Sequence, residues 1–192
     1  MRRGWPLAFA GMRIGLLGGS FDPAHSGHDH VAKTALARLG LDAVWWLATP
    51  QNPLKPQSGP LAARLASARR IARGRRHVVS DLETRVGTRF TIDTLRALRR
   101  HYPGVRFVFL MGADGMASFQ RWRRWPVILR LVPIFVVSRP GAGVRERRAK
   151  PFAPARLRGA DRGLLRARVP AWAFVAARFN PLSSSDLRAR KD

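Results

Sequence analysis

The segment RIGLLGGSFDPAHSGH, residues 13–28, decides the fold of this chain. Its first half is a short apolar run that ends in Gly18 and Gly19, a pattern typical of a buried strand entering a tight turn. The residues that follow, 27–39, carry apolar side chains at helical spacing and end at Gly40, which indicates a helix. The segment therefore predicts a strand, a turn and a helix at the start of a sheet.

Strands and helices continue to alternate beyond this unit. Further strands are predicted at 43–48, 77–80, 105–111, 131–137 and 172–176. Further helices are predicted at 61–73, 91–101 and 183–190, with a helical, tryptophan-rich stretch before the strand at 131–137. Such alternation implies parallel strands joined by right-handed crossovers. The predicted fold class is α/β, a Rossmann-like three-layer sandwich with a mainly parallel sheet of five to six strands. Ligands in such sheets bind at the carboxyl ends of the strands, where the strand order reverses.

The length and composition are those of an ordinary globular protein. The chain has 192 residues, of which 46% are hydrophobic, enough for one domain with a core. We expect a single domain over 1–192, with a flexible start at 1–11, a basic loop region at 139–168 and a C-terminal helix at 183–190. The apolar runs are too short to cross a membrane, and the lack of cysteine suits a reducing, cytoplasmic location.

The charge of the chain is extreme. The formal net charge is +25, and all but four of the 36 basic residues are arginine. Such a chain could attract polyanions, either nucleic acid or phosphorylated small molecules. We favour the simpler interpretation, an arginine-biased composition with a solvated basic surface, because charge alone specifies neither a fold nor a site.

Two histidines at the start of the first helix are the most informative residues. Glycines after a strand let the backbone approach a phosphate, and a helix start presents unpaired amides to an anion. His25 and His28 stand at that position, where both imidazoles can donate hydrogen bonds to oxygens on one phosphorus. The segment matches neither the GxGxxG fingerprint nor the P-loop. A structural histidine pair or a chance metal site is the alternative, and we consider it the weaker one.

Residues 18–28 resemble the signature of the HxGH nucleotidylyltransferase superfamily over its full length. Within this superfamily the chain is most similar to the nicotinate-nucleotide adenylyltransferases, over about residues 13–190. The resemblance extends to PQNPLK at 50–55, DLE at 81–83, GTRFTIDTL at 87–95, GAD at 112–114 and LSSSDLR at 182–188. It implies transfer of AMP from ATP to nicotinate mononucleotide, which gives nicotinate adenine dinucleotide and pyrophosphate. Arg89 and Phe90 stand where the family has Ser-Tyr, so no tyrosine hydroxyl acts there.

The resemblance also implies roles for individual residues. The catalytic residues would be His25, His28, Lys55 and Arg188. The ATP-binding residues would be Gly18, Gly19, Ser20, Phe21, Gly112, Asp114, Ser183, Ser184 and Ser185. The backbone near Thr91 would receive the nicotinate carboxylate, and Trp122 would stack on the pyridine ring, with Trp125 in the core. Helix capping by Thr91, by Asp114 or by the serine run is the structural alternative.

The expected chemistry is an in-line attack by the mononucleotide phosphate on the α-phosphorus of ATP. The second pKa of a phosphate monoester is about 6, so the nucleophile is already charged and needs no protein base. We expect Mg²⁺, brought with ATP, to bridge the triphosphate oxygens. The expected partners are ATP and nicotinate mononucleotide, with no membrane and no specific nucleic acid, and an oligomer remains possible.

Three other functions stay open at this point. A pantetheine-phosphate adenylyltransferase shares the fold, but that family usually has threonine where His25 stands. Nicotinamide mononucleotide could replace nicotinate mononucleotide as the acceptor. A nucleic-acid-binding protein would be expected to place aromatic residues among its basic ones, and the tract 139–168 holds only Phe152.

Overall fold

The computed structural model describes residues 5–51, 58–138 and 163–176. Within them, one parallel sheet contains the strands β1 (Arg13–Gly19), β2 (Ala43–Ala48), β3 (His77–Ser80), β4 (Arg106–Gly112), β5 (Ile134–Ser138) and β6 (Trp172–Ala176). The strand order is β3-β2-β1-β4-β5-β6. The chain runs outward from β1 to β3 and then returns to place β4 on the other side of β1, so the order reverses between these two strands. The predicted α/β class is confirmed.

Six helices connect or follow the strands in the described residues. They are α1 (Ser26–Leu39), α2 (Leu61–Ile71), α3 (Leu82–Val86), α4 (Thr91–His101), α5 (Ala113–Ser118) and α6 (Trp125–Leu131). Single 3-10 turns lie at Phe119–Arg121 and Leu164–Arg166. Helix α1 ends as predicted at Gly40, whose φ of 61° is left-handed and therefore favours glycine.

Some element boundaries differ from the predictions. Leu131 is the last residue of α6 rather than the first of a strand, and β5 begins only after Pro133. An apolar run shared by a helix end and a strand start has no periodicity that would separate them. The short helix α3 was not predicted. Thr91 is the first residue of α4 and not its cap, because the capping position belongs to Phe90 in an extended conformation.

The core consists of two apolar clusters, one on each face of the sheet. Successive side chains of a strand point to opposite faces. Accordingly, Trp45 packs in the cluster that contains α4 and α6, whereas Trp46 packs in the cluster that contains α1 and α2. Both tryptophans are fully buried. The result is the three-layer arrangement that the alternation of strands and helices predicts.

The first described residues lie against the end of α4. The ring of Trp5 stacks on His101 at a centroid distance of 3.8 Å, and the Tyr102 hydroxyl donates to the Pro6 carbonyl. The division of the chain into one domain with a flexible start and a basic loop stays a prediction, since the greater part of 139–168 lies outside the described residues. Among the residues described, no helix has the length and apolarity that a bilayer crossing demands.

We expect Gly15→Ala to lower the free energy of unfolding by about 1–3 kcal/mol. A Cβ at this position of β1 would lie 2.7 Å from Leu41 Cδ1 and from Leu110 Cδ1, and both leucines are buried. Urea unfolding of the purified variant measures the loss. Gly112→Ala is the matched control, because a Cβ there meets nothing within 4 Å. Equal stability of the two variants would contradict the packing argument.

Candidate active site

The reversal of strand order brings two of the predicted motifs to one edge of the sheet. Strand β1 ends at Gly19, β4 ends at Gly112, and the two strands pair directly. The histidine motif follows the first strand and the GAD motif follows the second. Parallel strands end at the same edge, so both motifs border the crevice in which doubly wound sheets bind ligands.

The two histidines form the cap of α1. His25 occupies the capping position, and its Nδ1 accepts from the Gly27 amide at 3.0 Å. Nδ1 of His28 accepts from the His25 amide at 3.2 Å, which completes a capping box made of imidazoles. The ring centroids are 4.0 Å apart. Because each Nδ1 is an acceptor, the proton of each neutral ring belongs on Nε2, and both Nε2 atoms are donors.

An aromatic layer supports this pair. Phe21 has a left-handed backbone with a φ of 51°, and its ring meets His28 edge-on at 5.0 Å and lies 5.4 Å from Trp46. A Cβ on Gly19 would lie 3.0 Å from the Phe21 ring, so a glycine at this position lets the ring fold back. The indole of Trp46 donates to Nδ1 of His77 at 3.1 Å. Phe21 is only 1% exposed, and its ring packs against His28 and Trp46.

A buried arginine joins the loops that follow β1 and β2. Arg64 lies on α2, is 2% exposed, and donates to the carbonyl oxygens of Ser20, Thr49, Pro50 and Gly59. Burial lowers the pKa of its guanidinium, and the charge of Asp22 partly opposes this. Sequence reasoning missed this residue. The sequence did contain a signal for a buried cation. Arg64 falls at an apolar position of the predicted helix, because Leu61, Leu65 and Ala68 share its helix face.

A buried carboxyl joins β2 to α4. The Thr49 hydroxyl donates to Glu83 Oε2, and the Thr94 hydroxyl donates to Oε1 at 3.2 Å. Thr88 Oγ1 lies 2.9 Å from Thr94 Oγ1 and extends the network to the loop before α4. Burial raises the pKa of the Glu83 carboxyl, while the two hydroxyl hydrogen bonds oppose that shift. The DLE motif contained this residue, but its sequence context indicated no contact for it.

The residues predicted to bind nicotinate lie on neighbouring segments. Thr91 begins α4, directly after Phe90, and the Arg123 guanidinium lies 4.6 Å from the centroid of the Phe90 ring. Arg123 in turn follows Trp122, so this contact holds the two segments side by side. Trp122 and Trp125 are both half-buried, and both pack on Phe119.

One ring separates Trp122 from the glycines of β1. Phe109 lies 5.7 Å from Trp122, and its ring would be 3.4 Å from a Cβ on Gly18. The structure therefore places the predicted stacking residue one aromatic ring away from Gly18.

The GAD motif opens α5. Gly112 occupies the capping position, and a Cβ there would enter open space. Asp114 is exposed in the first turn of α5, so the alternative that it caps the helix is wrong. Ser20 is 8% exposed in the turn after β1.

The remaining candidates lie outside the described residues. These are Lys55, Ser183, Ser184, Ser185 and Arg188. Their predicted proximity to the two histidines stays a prediction. In the described ranges, no three histidine, aspartate or glutamate side chains are grouped so as to hold a metal ion.

Comparison with known proteins identifies the family. A family model described as cytidylyltransferase-like matches residues 16–190, which defines the class of protein. A probable nicotinate-nucleotide adenylyltransferase of Cereibacter sphaeroides (strain ATCC 17025 / ATH 2.4.3) is 57% identical over 182 residues, which cover 93% of this chain and 97% of the relative. The protein of the same name from Caulobacter sp. (strain K31) is 53% identical, with coverage of 94% and 98%.

A solved structure shows the same fold. The Plasmodium falciparum nicotinic acid mononucleotide adenylyltransferase complexed with NaAD has a TM-score of 0.70 and 18% identity, and the match covers 93% of this chain and 83% of that one. With the relatives above, it confirms the resemblance that the motifs indicated. The chain belongs to the nicotinate-nucleotide adenylyltransferase family of cytidylyltransferase-like proteins.

Glu83→Gln tests the buried carboxyl. Because the folded-state pKa of Glu83 is raised, its contribution to stability is complete below the unfolded-state pKa and is lost as the pH rises through the folded-state value. The amide cannot ionise, so the variant should gain stability relative to the wild type over the pH range above the unfolded-state pKa of about 4.5. Urea unfolding across this range measures the difference. Glu83→Leu, which lacks both hydrogen bonds, should be less stable throughout, and parallel curves for Glu83→Gln and the wild type would refute the argument.

Proposed function

We propose that this protein transfers the adenylyl group of ATP to nicotinate mononucleotide, forming nicotinate adenine dinucleotide and pyrophosphate. The observation that carries the proposal is the imidazole capping box that His25 and His28 form at the start of α1. The box lies beside the end of β1, at the reversal of strand order. The names of relatives that are more than half identical to this chain support the choice of acceptor.

The reaction needs alignment more than it needs a base. The acceptor phosphate attacks the α-phosphorus of ATP in line, the bond to the pyrophosphate oxygen breaks, and pyrophosphate leaves with the electron pair. The acceptor phosphate is largely a dianion at neutral pH, since its second pKa is about 6. The protein therefore contributes by holding the two phosphates in position and by stabilising the charge on the transferring group.

The histidine cap suits this task. The two Nε2–H groups are fixed in direction, because a backbone amide holds the Nδ1 atom of each ring. Fixed donors need no reorganisation when charge develops on the phosphate oxygens, and this is the source of their catalytic advantage. The 14 residues of α1 add the positive end of a helix dipole at the same place. Gly18 and Gly19 let the chain pass close to the triphosphate.

The two ends of the crevice suit the two nucleotides. On the side of β4, Gly112 leaves open space and the exposed carboxylate of Asp114 can accept hydrogen bonds from ribose hydroxyls. On the side of α4, the amide of Thr91 is among the unpaired donors of a helix start and can receive the nicotinate carboxylate. The half-buried ring of Trp122 can stack on the pyridine.

Five further residues complete the proposal through the family's motifs. Lys55 would bring a compact charge to a phosphate, Arg188 would bind the outer phosphates of ATP, and the serines at 183–185 would offer hydroxyls and amides.

The strongly basic chain, with a net charge of +25, should draw anionic substrates toward the crevice. A cytoplasmic location would fit a chain without cysteine.

We expect the required divalent ion to be Mg²⁺. This ion commonly binds through substrate phosphates and only one or two carboxylates, so it needs no protein cage. When bound, the ion would neutralise part of the charge on the triphosphate oxygens.

The acceptor assay tests the activity directly. With ATP and Mg²⁺, nicotinate mononucleotide should release pyrophosphate and form the dinucleotide, detected by chromatography and a coupled pyrophosphate assay. Nicotinamide mononucleotide and phosphopantetheine should react more slowly, because neither presents the carboxylate that we assign to the start of α4. Faster turnover with either compound, or none with nicotinate mononucleotide, would overturn the proposal.

His28→Ala should fold and lose most of its activity. Removing one fixed donor to the transferring phosphate costs about 3 kcal/mol, or about a hundredfold in kcat. Circular dichroism and steady-state kinetics measure the two effects. His101→Ala is the matched control, since His101 stacks on Trp5 at the end of α4 and not in the crevice. Wild-type turnover by His28→Ala would remove His28 from the catalytic set.

A further inference from the structure

We propose that Arg64 is a positioning residue, whose buried guanidinium sets the shape of the loop between β1 and α1 and thereby the alignment of ATP. This proposal rests on the function proposed above. The residue occupies no predicted motif and lies on α2, and its guanidinium contacts the segments that follow β1 and β2.

The guanidinium makes four short hydrogen bonds to three separate stretches of chain. Nη1 donates to the carbonyls of Ser20 and Thr49, Nη2 donates to Pro50, and Nε donates to Gly59, each at 2.8 Å. Four of the five N–H donors of an arginine are thus used in its planar, fork-shaped geometry. The stretches are the turn after β1, the exit of β2 and the residues just before α2.

Helix α2 holds the turn after β1 at two points. Arg64 binds the Ser20 carbonyl, and Ser67, one turn further along the same helix, accepts from the Ala24 amide at 3.0 Å. The left-handed Phe21 lies between these two anchors, and the histidine cap begins directly after the second. Asp22 adds a third tie, because its Oδ2 accepts from the Gly59 amide at 3.1 Å.

The guanidinium also polarises a peptide group at the site. The Ser20 carbonyl and the Phe21 amide belong to one peptide unit, and a cation bound to the oxygen makes the N–H a stronger donor. An amide in this turn is the kind of group that binds phosphate at the start of a helix.

Packing alone does not call for an arginine at this position. Its helix neighbours Leu65 and Ala68 are buried in the apolar cluster, so an apolar side chain would continue that face. Burying a cation among neutral carbonyls costs free energy, and its lowered pKa reports that cost. The four hydrogen bonds hold three stretches of chain in fixed positions around one planar group.

The test compares Arg64→Lys with Arg69→Lys. A lysine at position 64 keeps the charge but can donate to only some of the four carbonyl oxygens. Arg69 is exposed on the same helix, so Arg69→Lys serves as the matched control. We expect kcat of Arg64→Lys to fall about 30-fold, which corresponds to about 2 kcal/mol of transition-state stabilisation. The Kd for ATP should rise, while KM for nicotinate mononucleotide stays within about threefold of the wild-type value. Arg69→Lys should match the wild type in all three.

The kcat and the Kd for ATP, both measured on folded protein, separate a positioning role from a purely structural one. Kinetics are measured well below the melting temperature of each variant, which circular dichroism provides, so that only folded molecules are compared. If kcat and the ATP affinity of Arg64→Lys equal those of the wild type, or if the variant fails to fold, the proposal is overturned. A wild-type protein with no activity toward nicotinate mononucleotide would instead contradict the proposed function, and the ATP Kd of Arg64→Lys, measured by calorimetry, would still decide the role of Arg64.

Discussion

The candidate active site depends on the pairing of β1 with β2 on one side and with β4 on the other. Parallel pairing places the ends of these strands at one edge, and the reversal of strand order opens a crevice there. The histidine cap, the Arg64 contacts and the Glu83 network all lie just beyond those strand ends. The sheet therefore acts as a rigid base for short, irregular segments that have few regular hydrogen bonds of their own.

Thr49 shows how closely these segments are coupled. Its amide donates to the Gly19 carbonyl, its carbonyl accepts from Arg64, and its hydroxyl donates to Glu83. The first two bonds lead to the turn that precedes the histidines, and the third leads to α4. One residue after β2 thus connects the two sides of the crevice, which we assign to ATP and to the acceptor.

Much of this arrangement could be predicted from the sequence, because strands such as Ala43–Ala48 and His77–Ser80 are short apolar runs with clear ends. The motif residues were also evident, since glycines and paired histidines after a strand suit few other purposes. Long-range contacts were not predictable. Arg64 lies 44 residues from Ser20 in sequence, and the partners of Glu83 depend on how α4 packs against β2. Local patterns carry no information about such distances.

The imidazole capping box limits how a family of this kind can acquire new substrates. Each ring both caps the start of α1 and carries a candidate donor, so moving a donor would also remove a hydrogen bond of the helix cap. Amino-acid substitution is easier at residues whose side chains do not also cap a helix, such as the half-buried aromatic residues Phe90 and Trp122. Selection for a different acceptor should therefore change these aromatic residues and leave the triphosphate end of the crevice almost fixed.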